Sequence, residues 1–178
     1  MNQTQAEALF RDTYRPIWAQ EYGAHGLPDD LTIFPGPDFD GGAIDNMVFI
    51  YEGVLNAEDT IVKFAIAHEM SHIVQVRVGQ RYGLTLPTTE NEASRAKRSE
   101  YMADLIAYHT LRRYRPADAT AIATIFPQLQ ALLGNGDSMH PSGADRVRRL
   151  LGYHRSMTLD NTANGNTVLG DLLKSVMT

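Results

Sequence analysis

The run His68-Glu69-Met70-Ser71-His72 carries the clearest chemistry in this chain. Two imidazoles four positions apart lie one helical turn apart on the same face. Both can therefore reach one ion, at metal–nitrogen distances of ~2.0–2.1 Å. Glu69 sits beside that axis, close enough to hydrogen-bond a metal-activated water without ligating. The chemistry expected of this pattern is metal-assisted hydrolysis, with Glu69 as general base. Phe64, Ile66, Ala67, Ile73, Val74 and Val76 around it are apolar. The polar trio thus belongs to a helix that is otherwise buried, where it would be costly without partners.

A catalytic zinc takes three protein ligands and keeps one position open. A third histidine from the longer HExxHxxGxxH pattern is ruled out, because Gln75 and Val78 stand where Gly and His would. The chain has no cysteine, which excludes thiolate ligation, thiol nucleophiles and disulfides. Glu92 and Glu100 are the candidates. Asn91-Glu92-Ala93 faintly resembles thermolysin-type peptidases, but Ala96 stands one turn later where a carboxylate is needed. Glu100 is followed one turn on by Asp104, which can accept the outer N–H of a ligating histidine and fix its tautomer. Ala103 and Ala107 are small and allow two helices to approach closely. Glu100 is the expected third ligand to a single Zn²⁺.

Three blocks then resemble a known family. Ser94-Arg95 followed by Glu100-Tyr101-Met102-Ala103-Asp104 is similar to the E-Y-x-A-D helix of the gluzincins that include the CaaX-prenyl endoprotease and the HtpX heat-shock peptidase. Met139-His140-Pro141, with Arg146 six positions after the histidine, resembles that family's H-P-(x)4-R helix start. The stretch 41–54 (GGAIDNMVFIYEGV) resembles its active-site edge strand. The blocks occur in family order and cover roughly 41–151. The resemblance implies a zincin-like metallopeptidase domain of minigluzincin size, with His68, His72 and Glu100 as ligands and Glu69 as base. It places Asp104 behind a ligand, and His140 and Arg146 at the site as catalytic contacts to substrate or oxyanion. The membrane helices of those relatives and an Asn-Ala-x-Ala block have no counterpart here, so their substrates do not transfer.

The elements that must position these residues read as α+β, mainly helical with a small sheet. Thr4 and Glu7 form a capping-box signature for a first helix running to about Tyr22, bent near Pro16. The 23–42 stretch reads as loop with a short strand at Leu31 to Phe34. Met47 to Tyr51 reads as a strand. If it lies at the sheet edge, a peptide or protein substrate can pair with it. The metal helix is expected from Asn56 as cap to Val78, stopping at Gly79. The next runs from after Thr89 to about Tyr114. Shorter helices follow near 117–125, 127–133, 142–153 and 168–177, with 161–166 as a linker. The whole of 1–178 reads as one metallopeptidase domain, with its core at about 41–155 and 156–178 as linker plus C-terminal helix.

Composition bounds the rest. Hydrophobic residues at 43% and charged ones at 21% give the balance of a globular chain. A net charge of −5 argues against nucleic acid as partner. No apolar run is long enough for a membrane span. The N-terminus lacks a signal-peptide pattern, so cytoplasmic residence is the default, with unconventional export as the alternative. His25, His109 and His154 read as solvated or structural. Two other functions compete. One is a non-catalytic zinc-stabilised binding domain, whose closed site would need a fourth ligand such as His109 or His140. The other is a latent regulatory or toxin-like peptidase with the tail from Asn161 covering the cleft.

Overall fold

The structure is a computed structural model that describes residues 1–84, 91–159 and 165–177. The chain opens with helix α1 (Gln3–Leu9), a five-residue π turn (Phe10–Tyr14) and α2 (Arg15–Tyr22). The capping box is Asn2 with Gln5 rather than Thr4 with Glu7. The Asn2 side chain accepts from the Gln5 N–H at 2.9 Å, and the Gln5 side chain from the Asn2 N–H at 2.9 Å. The bend expected at Pro16 takes the form of the π turn just before it. Proline has no N–H and its ring crowds the carbonyl four residues back, so the preceding turn widens. Phe10, Tyr14 and Trp18 stay on one buried stripe across it.

Strands β1 (Leu31–Phe34), β2 (Gly41–Ile44) and β3 (Met47–Tyr51) form one sheet in the order β1-β3-β2. Thus β3 is central, parallel to β1 with Leu31 opposite Val48, and antiparallel to β2 with Gly41 opposite Ile50. This corrects the expectation that a substrate could pair with Met47 to Tyr51, since both of its edges are already hydrogen-bonded. The edge beside the helix that carries His68 and His72 belongs to β2, whose first two residues fall in the stretch expected as loop. Within β3, Val48 and Ile50 are buried toward the helices. Phe49 and Tyr51 alternate to the other face and cluster with Phe34, at ring separations of 5.3 and 5.9 Å.

Helix α3 (Glu52–Leu55) leads into α4 (Asp59–Arg81), which packs extensively along α5 (Glu92–Tyr114). Asn56 closes α3 instead of capping α4. Helix α4 also passes through the buried Gly79 and stops two residues later. The terminating glycine is Gly83, at φ 66°, where the Leu84 N–H returns to the Gly79 carbonyl at 2.8 Å. Asn91 caps α5 through the Ser94 N–H at 2.8 Å; Thr89 lies outside the described residues. Then come α6 (Pro116–Thr124), α7 (Phe126–Leu133), α8 (Gly143–Leu159) and α9 (Gly165–Met177). Most of the expected linker at 161–166 falls outside the described residues, and Gly165 and Asn166 begin α9. That helix buries Leu169, Leu173 and Val176 against α5 and α8. Among the described residues, no helix is long and apolar enough to cross a membrane.

Candidate metal centre

The middle of α4 faces the middle of α5, and there His68, His72 and Glu100 converge. The two Nε2 atoms are 3.1 Å apart. Each also lies 3.3 Å from a different oxygen of Glu100. A tetrahedral ion with bonds of ~2.0–2.2 Å holds its ligand atoms ~3.3–3.6 Å apart. The three donors therefore already form a face of nearly the right size, and two nitrogens with one carboxylate is a zinc donor set. Among the described residues this is the one such group, and it has three donors rather than four.

Behind the donors, each histidine is oriented by its other ring nitrogen. His68 Nδ1 lies 2.9 Å from Asp104. A metal on Nε2 would leave the ring proton on Nδ1, donated to Asp104. Helix α8 adds Arg146, which the hydroxyl of Ser142 and the side chain of Asp145 help to seat at the start of that helix. The Arg146 guanidinium is buried, and grips Asp104 at 2.7 and 2.8 Å and Glu100 at 3.0 Å. This fork braces two carboxylates at fixed separation. Arg146 reaches the cleft, but its donors are directed to Asp104 and Glu100, the work of a positioning residue.

Two partners of His72 carry no mark in the sequence motif. Ser99 Oγ lies 3.3 Å from its Nδ1 and donates to Gln75 at 2.9 Å. The Gln75 amide nitrogen donates to the Ser99 carbonyl at 2.7 Å, and stands 2.9 Å from the same Nδ1. That second contact suits an imidazole with its proton on Nε2. A metal at Nε2 puts the proton on Nδ1, where Ser99 Oγ is the acceptor. Gln75 was visible as the residue three positions after His72 on the same face. Nothing flagged Ser99 except its place beside Glu100.

Three carboxylates, Glu69, Glu100 and Asp104, face a single guanidinium. In the metal-free cluster, burial and the Arg146 charge push His68 down, but hydrogen bonds to Asp104 and Glu100 outweigh them and leave it pushed up to about 10. Burial also works against the charged form of Glu100. The hydrogen bond from His68 overrides it and holds Glu100 well below the usual carboxylate range. Glu69 goes the other way, raised by burial against the opposing pull of both histidines. A raised carboxyl pKa suits a group that must take and return a proton.

Glu69 points into a cleft of about 460 Å³ that opens on the donor triad. Its carboxylate lies against Gly41 of β2, where an added Cβ would come within 3.4 Å of Oε1 and 3.0 Å of the Phe49 carbonyl. Glycine there lets the edge strand lie close over α4. His140 also lines the cleft. It is exposed, with Nδ1 3.0 Å from Asp137, whose carboxylate also accepts two backbone N–H groups of the same turn. Its Nε2 is the ring nitrogen left for a ligand. His109 lies elsewhere, buried against the Tyr153 hydroxyl at 2.7 Å. His25 is exposed. His154 is half-buried on the Tyr108 hydroxyl at 2.6 Å, not solvated as expected. No described residue of α9 lines the cleft.

No protein-family model matches the chain, and neither a curated protein nor a solved structure matches it. The site consists of three donors on two packed helices, one face open to a cleft, and a carboxylate at that opening.

Proposed function

We propose that this chain is a zinc-dependent endopeptidase of the gluzincin type that its sequence blocks resemble, with His68, His72 and Glu100 as ligands. The observation that carries the reading is the open triangle of donors with Glu69 beside the opening. Bound there, zinc supplies a Lewis acid for the carbonyl and makes water acidic near neutral pH. Glu69 accepts the proton of the attacking water and hands it to the leaving amine as the C–N bond breaks. Asp104 keeps His68 in one tautomer, and Arg146 keeps Asp104 and Glu100 from repelling each other. His140, held by Asp137 through Nδ1, lines the cleft where the oxygen gains charge.

The peptide is placed along β2 rather than β3. Among the described residues the outer edge of β2 pairs with no strand; β2 borders the cleft beside Glu69, and an extended chain can add to it through backbone hydrogen bonds. The absence of a fourth donor in the described cluster favours an enzyme over a closed structural zinc site. The seating of α9 on α5 and α8 gives no support to a tail that covers the cleft.

The test compares wild type with Glu69→Gln for zinc content and for cleavage of casein and a peptide library. We expect one zinc per chain in both, with cleavage lowered ~10²–10⁴-fold in the variant. Equal cleavage by the two proteins would refute the assignment.

A further inference from the structure

The two ligand histidines are backed by opposite chemistry. The Nδ1 of His68 faces the Asp104 carboxylate at 2.9 Å. An ionised carboxylate only accepts, so it stabilises a proton on that nitrogen and leaves Nε2 to a metal. The Nδ1 of His72 faces the side-chain amide nitrogen of Gln75 at 2.9 Å, and that group only donates. The amide cannot turn over to offer its oxygen instead. Its nitrogen donates to the Ser99 carbonyl at 2.7 Å, and its oxygen accepts from the Ser99 hydroxyl at 2.9 Å. Reversal would press two oxygens together at the first of these contacts. Gln75 is therefore locked from α5, with one N–H given to the Ser99 carbonyl and the other aimed at His72.

We propose that Gln75 is a brake on metal loading: it holds the metal-free His72 with its proton on Nε2, the nitrogen that zinc needs. The inference rests on the zinc reading and adds how that site is filled. Without metal the arrangement is complete, because His72 Nε2 stands 3.3 Å from a Glu100 oxygen that can accept its proton. With a metal on Nε2, that proton leaves to solvent and Nδ1 takes one up, with no net change. The new Nδ1–H meets the Gln75 N–H head-on until the amide moves aside. Ser99 Oγ, 3.3 Å from Nδ1, is the acceptor that remains. The two neighbours thus pull in opposite directions, Gln75 against zinc and Ser99 for it. A donor left facing a donor weakens binding. The protein therefore holds zinc more loosely than its three ligands alone would allow, and its occupancy follows the zinc around it.

The experiment measures zinc affinity rather than turnover, by chelator competition on the full chain, for wild type, Gln75→Met and Ser99→Ala. Methionine keeps the length of the side chain and removes the N–H. Gln75→Met should bind zinc about tenfold tighter than wild type, and Ser99→Ala ~10–100-fold weaker. A purely structural role for the pair would weaken both variants alike. A second measurement uses metal-free wild type: long-range proton–nitrogen NMR of the histidine side chains at pH ~8, above the ordinary histidine range. The His72 signals are identified by their loss in His72→Gln. They should show the proton on Nε2, and added zinc should move it to Nδ1. Equal or weaker zinc binding by Gln75→Met, or a metal-free His72 already carrying a proton on Nδ1, overturns the proposal. The reading beneath it fails on separate results, namely no zinc bound by wild type or equal casein cleavage by wild type and Glu69→Gln.

Discussion

His68 and His109 are buried almost equally, 6% and 4% exposed, yet their protons are held in opposite ways. Burial is the largest influence on His109, with Glu21 opposing it and Arg113 adding to it. Its hydrogen-bond partners are neutral, the Tyr153 hydroxyl and the Asn166 side chain, and it is pushed down to about 4. His68 suffers the same desolvation, but Asp104 and Glu100 reverse it. Removal from water neutralises an imidazole unless anions are supplied. The fold sets Asp104 and Glu100 in contact with one buried histidine, whereas among the described residues the other has no carboxylate in hydrogen-bond contact and feels Glu21 only through space.

The largest effect that would break this contrast concerns the metal itself. Glu100→Gln should lower zinc affinity more than about a hundredfold, beyond what outer partners contribute, while His109→Gln keeps one zinc per chain. Equal zinc contents by elemental analysis would erase the distinction. Next, Asp104→Asn should weaken zinc ~10–100-fold in a chelator competition. Tyr153→Phe should leave zinc binding alone and cost ~0.5–1.5 kcal/mol in denaturant unfolding.

A further contrast is a pair of opposite pH slopes in the metal-free protein. His68 is raised in the fold, so the folded state holds more protons between pH ~6.5 and about 10, and its contribution declines as pH rises through that window. His109 is lowered, so its contribution is lost as pH falls from ~6.5 toward about 4. His68→Gln should flatten the alkaline slope, and His109→Gln the acid one. A substitution that flattens the other's slope would contradict the contrast.

The metal helix was legible because a four-residue spacing is a property of any α-helix, whatever packs around it. Glu100 was legible through Asp104, which repeats the same spacing on the second helix. Strand order was not. Whether Met47 to Tyr51 lies inside or at the edge depends on where Leu31 to Phe34 docks, and no local pattern encodes that. Strand β2 was hidden by its two glycines, poor strand formers in isolation, placed where Glu69 and the Phe49 ring leave no room for a side chain. The Thr4 cap was misplaced because Asn2 offers the same reciprocal bonds two residues earlier. Arg146 was legible as a site residue, but its engagement with two carboxylates is a tertiary fact.

That engagement also orders the birth of the site. Both imidazoles and the Glu100 carboxylate are in place by residue 100, whereas the guanidinium that reconciles the acids arrives with α8, 46 residues later. Over those 46 residues of synthesis, the growing polypeptide carries His68, His72 and Glu100 without the brace that sets their spacing. The cluster acquires its finished geometry only once α8 has been made.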